Sequence, residues 1–358
     1  MLKYNILILG ASYGSLLASK ILLGGHSVKL VCLPAEADLI NSEGFRVRIP
    51  VRGRSEPVEL DSRKLHGRVS ATGAAGVDPK DYDLIGLAMQ EPQYGSPGVR
   101  ELMSAVAKSR VPCMSIMNMP PLPYMRRIPG IDAELLKPAY TAPEVWEDFD
   151  PATMTLCSPD PQAIRPADEK ANVLQVTLPT NFKVARFDLE KGSEIVRQLE
   201  KEIDVARFNT PEAEIELPVK LRFYNSIFVP LAKWAMLMAG NYRCITEQGM
   251  RTAREAVHSD LAASRSIYDF VLDVCIKIGA SRNDLVPFEK YAAAAESLSR
   301  PASAARALNN GAPNIERADR LVQLVAKQKG MSHPALDEIV ALVDRRLEAN
   351  RKIKPAVA

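Results

Sequence analysis

The sequence predicts an α/β fold in which a parallel-sheet domain spans residues 1–209 and an all-helical domain spans residues 210–358. In the first half, short apolar runs alternate with helical patterns, which is typical of a parallel sheet built from βαβ units. From Pro211 onward the chain carries long helical patterns, ended by Gly279 and Gly330, and few strand candidates. A length of 358 residues also exceeds the usual size of one domain, so two domains are expected.

The N-terminus carries the first βαβ unit. Residues 4–9 form a short apolar run, and small residues follow before apolar residues recur at helical spacing. Gly24 and Gly25 end this helix, and residues 27–33 form a second β-rich run. The order strand, tight turn, helix, strand predicts that the two strands pair in parallel.

Strand and helix patterns continue to alternate beyond this unit. Further strands are predicted at residues 84–89, 113–118, 173–178 and 183–187. Ser96 and Pro97 open a helix that runs through Lys108, and Ser193 is the predicted N-cap of a helix after the last strand. The first half therefore keeps the alternation that a parallel sheet requires.

Composition and charge exclude several classes of partner. Lys+Arg number 46 against 43 Asp+Glu, and the formal net charge of +3 is far below the basic excess of nucleic-acid-binding proteins. The longest apolar stretch, residues 227–239, is too short to cross a bilayer and predicts a core helix, so no membrane is expected as a partner. Five scattered cysteines without C-x-x-C spacing predict neither a disulfide framework nor a metal site. The sequence starts without a secretory signal, so a cytoplasmic location is expected.

The turn between the first strand and its helix is the candidate phosphate-binding site. Its sequence is Gly10-Ala11-Ser12-Tyr13-Gly14-Ser15. In a dinucleotide-binding βαβ unit, backbone N–H groups of this turn and the positive end of the helix dipole face the pyrophosphate. The G-x-G-x-x-G pattern is met only at Gly10, because Ser12 and Ser15 replace its other two glycines. We therefore expect cofactor binding here, with a plain tight turn as the alternative.

The end of the second predicted strand bears on the choice of cofactor. An acidic residue there would bind a ribose 2′-hydroxyl, whereas an arginine would favour a 2′-phosphate. The chain offers Cys32, Leu33 and Pro34, which indicate neither preference. Arg46 and Arg48 lie farther along and fit solvated strand residues.

Two later segments, together with the turn, carry a resemblance to a known family. They are Ile116-Met117-Asn118-Met119, at the end of a predicted strand, and Lys220-Leu221-Arg222-Phe223-Tyr224-Asn225. With Ser303 and Glu316, which follow in the second half, they resemble in order the site segments of the ketopantoate reductases (2-dehydropantoate 2-reductases). The chain looks like a divergent member of that family. The resemblance implies a Rossmann-type domain followed by an all-helical domain similar to the C-terminal fold of 6-phosphogluconate dehydrogenase.

The resemblance also implies a function. Such an enzyme is an oxidoreductase that reduces a 2-keto acid, or a related carbonyl, to the hydroxy acid by hydride transfer in the cleft between its domains. The implied cofactor is NADP(H) rather than NAD(H), the implied substrate is a small keto acid, and the implied assembly is a homodimer. The cofactor performs the reduction, so no metal is expected.

Single residues receive roles from the same resemblance. Asn118 orients the substrate carbonyl beside the nicotinamide, Asn225 stabilises the developing alkoxide, and Lys220 delivers the proton. In the family a helix carries a lysine and, four residues later, an asparagine, whereas Lys220 precedes Asn225 by five and Leu221 occupies the expected lysine position. A π-bulge would restore a shared helix face, and without one Lys220 is an ordinary surface lysine.

The other candidates bind rather than react. The turn Gly10–Ser15, Gln90, Asn118 and Glu316 are assigned to the cofactor, and Asn225, Ser303 and Arg222 to the substrate. Alternatively, Ser303 caps a helix and Glu316 pairs with Arg320. Gln90 replaces a family lysine, and Val229 replaces a second asparagine four residues after Asn225. Both replacements remove polar contacts that a hydroxylated substrate would use.

Two other functions remain open. An opine-type dehydrogenase shares the two-domain plan, reduces an imine and depends on a histidine of the second domain. His258 and His333 are the candidates, although the helical pattern around His258 favours a structural or solvated role. The second alternative is a catalytically inactive dinucleotide-binding sensor, which the residues Gln90, Leu221 and Val229 at polar family positions favour.

Overall fold

The computed structural model describes residues 3–353, which form fourteen strands and twelve α-helices. The strands are β1 (Asn5–Leu9), β2 (Ser27–Val31), β3 (Arg46–Ile49), β4 (Val58–Asp61), β5 (Val69–Thr72), β6 (Leu84–Leu87), β7 (Cys113–Ile116), β8 (Met154–Ser158), β9 (Gln162–Ile164), β10 (Val173–Leu178), β11 (Phe182–Ala185), β12 (Phe208–Asn209), β13 (Glu214–Ile215) and β14 (Leu221–Tyr224). The helices are α1 (Ser12–Leu23), α2 (Pro34–Glu43), α3 (Val99–Ser109), α4 (Leu122–Met125), α5 (Glu190–Val205), α6 (Lys233–Met236), α7 (Ala253–His258), α8 (Leu261–Lys277), α9 (Phe288–Ala295), α10 (Ser303–Asn309), α11 (Ala318–Gln328) and α12 (Pro334–Ile353). The predicted α/β class and the N-terminal βαβ unit are confirmed.

The main sheet has eight strands in the order β14-β11-β8-β7-β6-β1-β2-β5. All neighbours from β8 to β5 pair in parallel, and β11 pairs antiparallel with β8. The chain moves outward from β1 through β2 to β5, then returns to the other side of β1 with β6. The strand order therefore reverses between β1 and β6, which is where open parallel sheets bind ligands beyond their carboxyl ends.

A second sheet of four strands, in the order β4-β3-β10-β9, belongs to the same part of the chain. Helix α1 is buried along most of its length and shares one apolar core with residues of both sheets. The helix predicted to begin at Ser193 begins earlier, at Glu190. Ser193 lies inside α5, where its hydroxyl oxygen accepts the backbone N–H of Phe187 at 3.0 Å, so the predicted cap is wrong.

The chain packs into two compact units. The first holds the chain up to Met89 with Gln93–Tyr124 and Val145–Ile227, and the second holds Gln90–Pro92, Met125–Glu144 and the chain from Phe228 on. The predicted boundary near residue 209 differs from this division. Strand β14 follows residue 209 and pairs with β11, which keeps the chain in the sheet unit as far as Ile227.

Residues 227–239, predicted as a core helix, are helical from Val229 onward and mostly buried. Within residues 3–353, no helix is both long and apolar enough to cross a bilayer. All five cysteines are free thiols, four of them buried and Cys32 half-buried.

One lysine is buried in the core of the first unit. Lys20 of α1 is 2% exposed, and its Nζ donates to the carbonyl oxygen of Pro218 at 3.5 Å. Burial, together with the like charge of Lys220, lowers the pKa of Lys20 to about 8. Because the pKa is lower in the folded than in the unfolded chain, folding is penalised below pH 8, and this penalty is lifted as the pH rises toward the unfolded pKa.

We predict that Lys20→Met stabilises the protein at pH 7 by about 1–3 kcal/mol, since it removes a buried charge and keeps the volume. The gain should shrink by up to about 3 kcal/mol between pH 8 and pH 10.5, where wild-type Lys20 loses its proton in the folded state. Urea unfolding at pH 7 and pH 10 measures both values. The exposed Lys277→Met serves as a control with no expected effect. A gain that is independent of pH would contradict the assignment.

Candidate functional site

The predicted phosphate turn is held against the neighbouring strand. The backbone N–H of Gly10 donates to the carbonyl of Val31 at 2.8 Å, and the φ of Gly10 is +101°. A Cβ at this residue would lie 2.7 Å from the carbonyl oxygen of Ala88, just after β6. Only glycine fits both the dihedral angle and the close approach. The turn thus lies at the carboxyl ends of β1 and β6, where the strand order reverses.

Helix α1 approaches β1 closely at Gly14 rather than at Ser15. A Cβ on Gly14 would lie 2.7 Å from Cγ2 of Ile8, which is the close helix-to-strand contact that the third glycine of G-x-G-x-x-G provides. The hydroxyl of Ser15 points back and donates to the carbonyl of Ala11. The turn is therefore one residue shorter than in the G-x-G-x-x-G pattern.

The amino end of α1 has the features of an anion site. The N-cap is Ala11, which makes no side-chain hydrogen bond, so the first N–H groups of this 12-residue helix have no side-chain cap. Ser12 is half-buried, and the Tyr13 hydroxyl donates to the carbonyl of Pro161 at 2.5 Å, which ties the turn to the start of β9. Backbone donors, the helix dipole and two glycine contacts fit a diphosphate.

A second cluster lies at the end of β2. Leu33, the N-cap of α2, is 75% exposed, and Glu36 in the first turn of α2 forms an ion pair with Arg165, which follows β9. The Glu36 carboxylate is 11% exposed and the Arg165 side chain 33%. Burial raises the pKa of the neighbouring Cys32 thiol to about 12, with Glu36 adding to the rise and Arg165 opposing it. The guanidinium is thus the more accessible charge at this end of the strand.

Asn118 occupies the position expected of it. It lies two residues beyond β7 and is half-buried. Because β1, β6 and β7 are parallel neighbours, Asn118 is at the same edge of the sheet as the turn.

The segment 220–225, predicted as a helix with a catalytic lysine, is a strand. Lys220 directly precedes β14, and Asn225 follows it and is exposed. Five residues of extended chain span roughly 16 Å and place their first and last side chains on opposite faces. No π-bulge joins them, so Lys220 and Asn225 do not form the expected pair.

Lys220 and Arg222 are engaged in ion pairs. Lys220 Nζ lies 2.7 Å from Oδ1 of Asp204 and 2.5 Å from Oε1 of Glu216, and Arg222 pairs with Asp204 at 3.0 Å. These carboxylates hold the pKa of Lys220 above its ordinary value although burial opposes the rise. A lysine with a raised pKa is a poor proton donor near neutral pH. The geometry indicates a structural role for both cations.

A different lysine begins a helix in the second unit. Lys233 is the first residue of α6 and is half-buried. Leu237 lies four residues after Lys233, and Asn241 lies eight residues after it. This is the spacing that the family helix has for its lysine and two asparagines, with leucine in the middle position. Lys233 is not among the sequence-based candidates because the family helix was matched to residues 220–225 instead. The signal in the sequence that identifies Lys233 is a lysine with an asparagine eight residues later.

A π-helical turn follows α6 and changes the angle between Lys233 and Asn241. Leu237–Asn241 is a π-helical turn, and the N–H of Tyr242 donates to the carbonyl of Leu237, five residues back. A Cβ at Gly240 would lie 1.9 Å from the Tyr291 hydroxyl, which donates to the carbonyl of Met236 at 3.1 Å. In a regular helix, residues eight apart are offset by roughly 80°. A π turn takes more residues per revolution, so it reduces the offset between Lys233 and Asn241.

Glu316 lies beside the segment that contains Gln90. The N–H of Glu91 donates to Oε1 of Glu316 at 3.4 Å, and the Tyr242 hydroxyl donates to the Glu316 carbonyl oxygen. Gln90 itself is exposed. Burial raises the pKa of Glu91, whose Oε1 accepts the N–H of Thr141 at 3.0 Å. The structure thus brings Glu316 next to Glu91, the neighbour of Gln90 in the chain.

The alternatives for Ser303 and Glu316 do not apply. Ser303 is the exposed first residue of α10, whose N-cap is Ala302, and makes no cap hydrogen bond. Arg320, the alternative partner of Glu316, forms an ion pair with Asp344 instead.

Both histidines of the second unit contact other residues of that unit. Nε2 of His258 lies 3.0 Å from the carbonyl of Ala292 and Nδ1 lies 3.3 Å from Glu296, which fits a structural role. His333 accepts the N–H of Ala335 at Nδ1, at 3.2 Å. In the described part of the chain, no three His, Cys, Asp or Glu side chains are grouped to hold a metal ion.

The chain matches no protein-family model and no curated protein by sequence. It is similar in structure to the 2-dehydropantoate 2-reductase from Methylococcus capsulatus, with 17% identity, a TM-score of 0.62 and coverage of 98% of this chain and 99% of the other. The dimeric ketopantoate reductase from Staphylococcus aureus gives 10% identity, a TM-score of 0.60 and coverage of 97% and 99%. A D-mandelate dehydrogenase solved with NADH and anilino(oxo)acetate gives 14%, 0.61, 97% and 99%. The chain has the ketopantoate reductase fold, which confirms the fold that the resemblance implied.

We predict that Gly14→Ala lowers the free energy of unfolding by about 1–3 kcal/mol, because its Cβ overlaps Ile8 and forces α1 away from β1. Gly73→Ala is the matched control, since nothing lies within 4 Å of a Cβ there and its φ is −73°. Urea unfolding of both variants measures the difference. Equal stability of the two variants would contradict the close contact at Gly14.

Proposed function

We propose that this protein is an NAD(P)H-dependent oxidoreductase that reduces a 2-keto acid to the 2-hydroxy acid. The observation that carries the proposal is the turn at Gly10 and Gly14, at the point where the strand order reverses. The fold shared with 2-dehydropantoate 2-reductases and a D-mandelate dehydrogenase supports a 2-keto acid as the substrate class.

Each group of residues has a proposed task. Backbone donors from Gly10 to Ser15 hold the diphosphate, and the bound nicotinamide supplies the hydride. Asn118, at the same sheet edge as the turn, donates its amide N–H to the substrate carbonyl. Gln90 and Glu316 contact the cofactor, and Ser303 contacts the substrate.

Lys233 replaces Lys220 as the proposed proton donor. Lys220 is held by two carboxylates, whereas Lys233 begins a helix with the lysine and second asparagine of the family spacing. Asn241 takes the role first given to Asn225, which is to stabilise the developing alkoxide. Arg222 is left out of the substrate site because it lies on β14, at the far edge of the eight-stranded sheet from the turn, and pairs there with Asp204.

The apolar residue between Lys233 and Asn241 narrows the range of substrates that we propose. Leu237 is 2% exposed and stands where the family has its first asparagine. A site selects a substrate hydroxyl through groups that pair with it, so loss of an amide removes that selection. A 2-keto acid with an apolar side chain therefore fits better than a hydroxylated one.

NADP(H) is the proposed cofactor form. Arg165 and Glu36 lie by Cys32 at the end of β2, where the adenosine ribose of a bound dinucleotide belongs. Arg165 is the more exposed of the two charges, and a guanidinium binds phosphate with paired hydrogen bonds.

The proposed assembly is a homodimer in the cytoplasm. A structurally similar ketopantoate reductase is described as dimeric, which supports the assembly. Five free cysteines in this chain support a reducing compartment.

We expect the purified protein to oxidise NADPH with apolar branched or aryl 2-keto acids and less efficiently with 2-dehydropantoate. Lys233→Ala should lower kcat by about 10²–10⁴-fold, because a positioned acid contributes that much. Lys220→Ala is the matched control and should leave kcat within a few-fold while it lowers Tm. Absorbance at 340 nm follows turnover.

The opposite ranking of the two lysine variants would overturn the assignment of Lys233. Thermal stabilisation by NADPH without turnover of any keto acid would instead identify a dinucleotide sensor. If neither NADPH nor NADH binds to the folded protein, the proposed function itself fails.

We expect Arg165→Gln to weaken NADPH binding by about 10-fold or more and to leave NADH binding nearly unchanged, because only NADPH carries the 2′-phosphate. Arg48→Gln is the control, since Arg48 lies in the small sheet whose strand β9 precedes Arg165, and it too pairs with carboxylates, Glu59 and Glu169. Titration of both nucleotides by fluorescence gives the ratio of their Kd values. An equal loss for both nucleotides would show that Arg165 acts only on the fold.

A further inference from the structure

A cavity of about 530 Å³ lies in the second unit, between the chain at residues 242–251 and helix α12. Its volume is in the range of small-molecule sites. Three arginines and two glutamates line it: Arg243, Arg251, Arg345, Glu247 and Glu338. No residue of the proposed reductase site is among its lining residues.

The arginines of this cavity differ in their partners. Arg345 is neutralised by Glu247, with Nη2 2.5 Å from Oε1. Arg243 and Arg251 form no ion pair with any residue in the range 3–353. Arg243 donates from Nη1 to neutral acceptors, the carbonyl of Ala239 at 3.4 Å and the hydroxyl oxygen of Ser264. Neither guanidinium is therefore bonded directly to a carboxylate.

The two unpaired arginines lie close together. Nε of Arg251 donates to the backbone carbonyl of Arg243 at 2.8 Å, and its Nη1 donates to the hydroxyl of Ser259 at 3.3 Å. Burial lowers the pKa of Arg243, and the like charge of Arg251 lowers it further. The nearby Asp260 is used at the amino end of α8, where it accepts the N–H of Ala263 at 2.9 Å. Asp260 attracts Arg243 without bonding to it, and a bound anion would bond to the guanidinium groups directly.

The rest of the wall selects the kind of anion. Apolar side chains of Ile245, Ile339 and Leu342 line the same cavity. Carboxylates already surround the two arginines: Glu338 lines the cavity, Asp260 lies near Arg243, and Glu255 lies near Arg251. An anion with one charge and an apolar chain therefore suits this wall better than a phosphate dianion, which the carboxylates would repel more strongly.

We propose that this cavity binds a small monocarboxylate, with its carboxylate on Arg243 and Arg251 and its apolar chain against Ile245, Ile339 and Leu342. At Arg251 the Nη2 group remains to donate to the carboxylate, because Nε and Nη1 already donate to Arg243 and Ser259. The site is additional to the proposed reductase site and does not require it.

Hexanoate, hexylamine and inorganic phosphate are the probes, titrated into the full-length protein by isothermal calorimetry. We expect saturable hexanoate binding, at least 10-fold weaker binding of phosphate and none of hexylamine. Arg251→Gln should weaken hexanoate binding by at least 10-fold. Arg282→Gln, at an exposed position outside the cavity, should not change it.

A pair of variants separates charge from folding. Leu342→Glu should abolish hexanoate binding because it adds a negative charge to the cavity that repels the carboxylate, whereas Leu342→Gln, which has the shape of Glu without its charge, should retain most of it. Binding should also persist in Lys233→Ala. Absent hexanoate binding, equal effects of Glu and Gln at residue 342, or binding lost in Lys233→Ala and kept in Arg251→Gln would each overturn the proposal.

Discussion

The close approach of the first turn and helix α1 to the neighbouring strands is the constraint on which the arrangement at this edge of the sheet depends. At Gly10 the turn nearly contacts the carbonyl of Ala88, and at Gly14 helix α1 nearly contacts Ile8. No side chain fits at either position, so the amino end of α1 is held between the carboxyl ends of β1 and β6. Without this contact the strand reversal would leave a crevice with no donors facing it.

Much of the first unit was predictable because its signals are local. Continuous apolar runs mark β1, β2, β6 and β7, and glycines mark the ends of the helix between the first two. Position within the βαβ unit located the turn, and the end of a later predicted strand located Asn118; the structure has both at one edge of the sheet. Only the spacing of the glycines differs from the expectation, since the turn is one residue shorter than in G-x-G-x-x-G.

The sequence-based predictions failed for segments whose structure is decided by long-range contacts. Lys220 to Asn225 carries no strong local pattern, and it becomes a strand because β11 offers a partner. Tyr291, 51 residues after Gly240 in the chain, occupies the space beside that glycine where the π turn lies. That turn changes the angular relation between Lys233 and Asn241. No reading of residues 233–241 alone reveals such a contact.

Ion pairing and position together separate the basic residues that hold the fold from those available to a ligand. Lys220 is paired with Asp204 and Glu216, so its charge is neutralised within the first unit. Arg165 is paired with Glu36, yet it lies at the end of β2, where the proposed function needs a cation. Arg243 and Arg251 donate only to neutral acceptors, although Asp260 lies near Arg243 and Glu255 near Arg251. Sequence spacing cannot make this distinction because partners such as Asp204 of α5 come from another element. The ion-pair partners therefore say more about function than the residue types do.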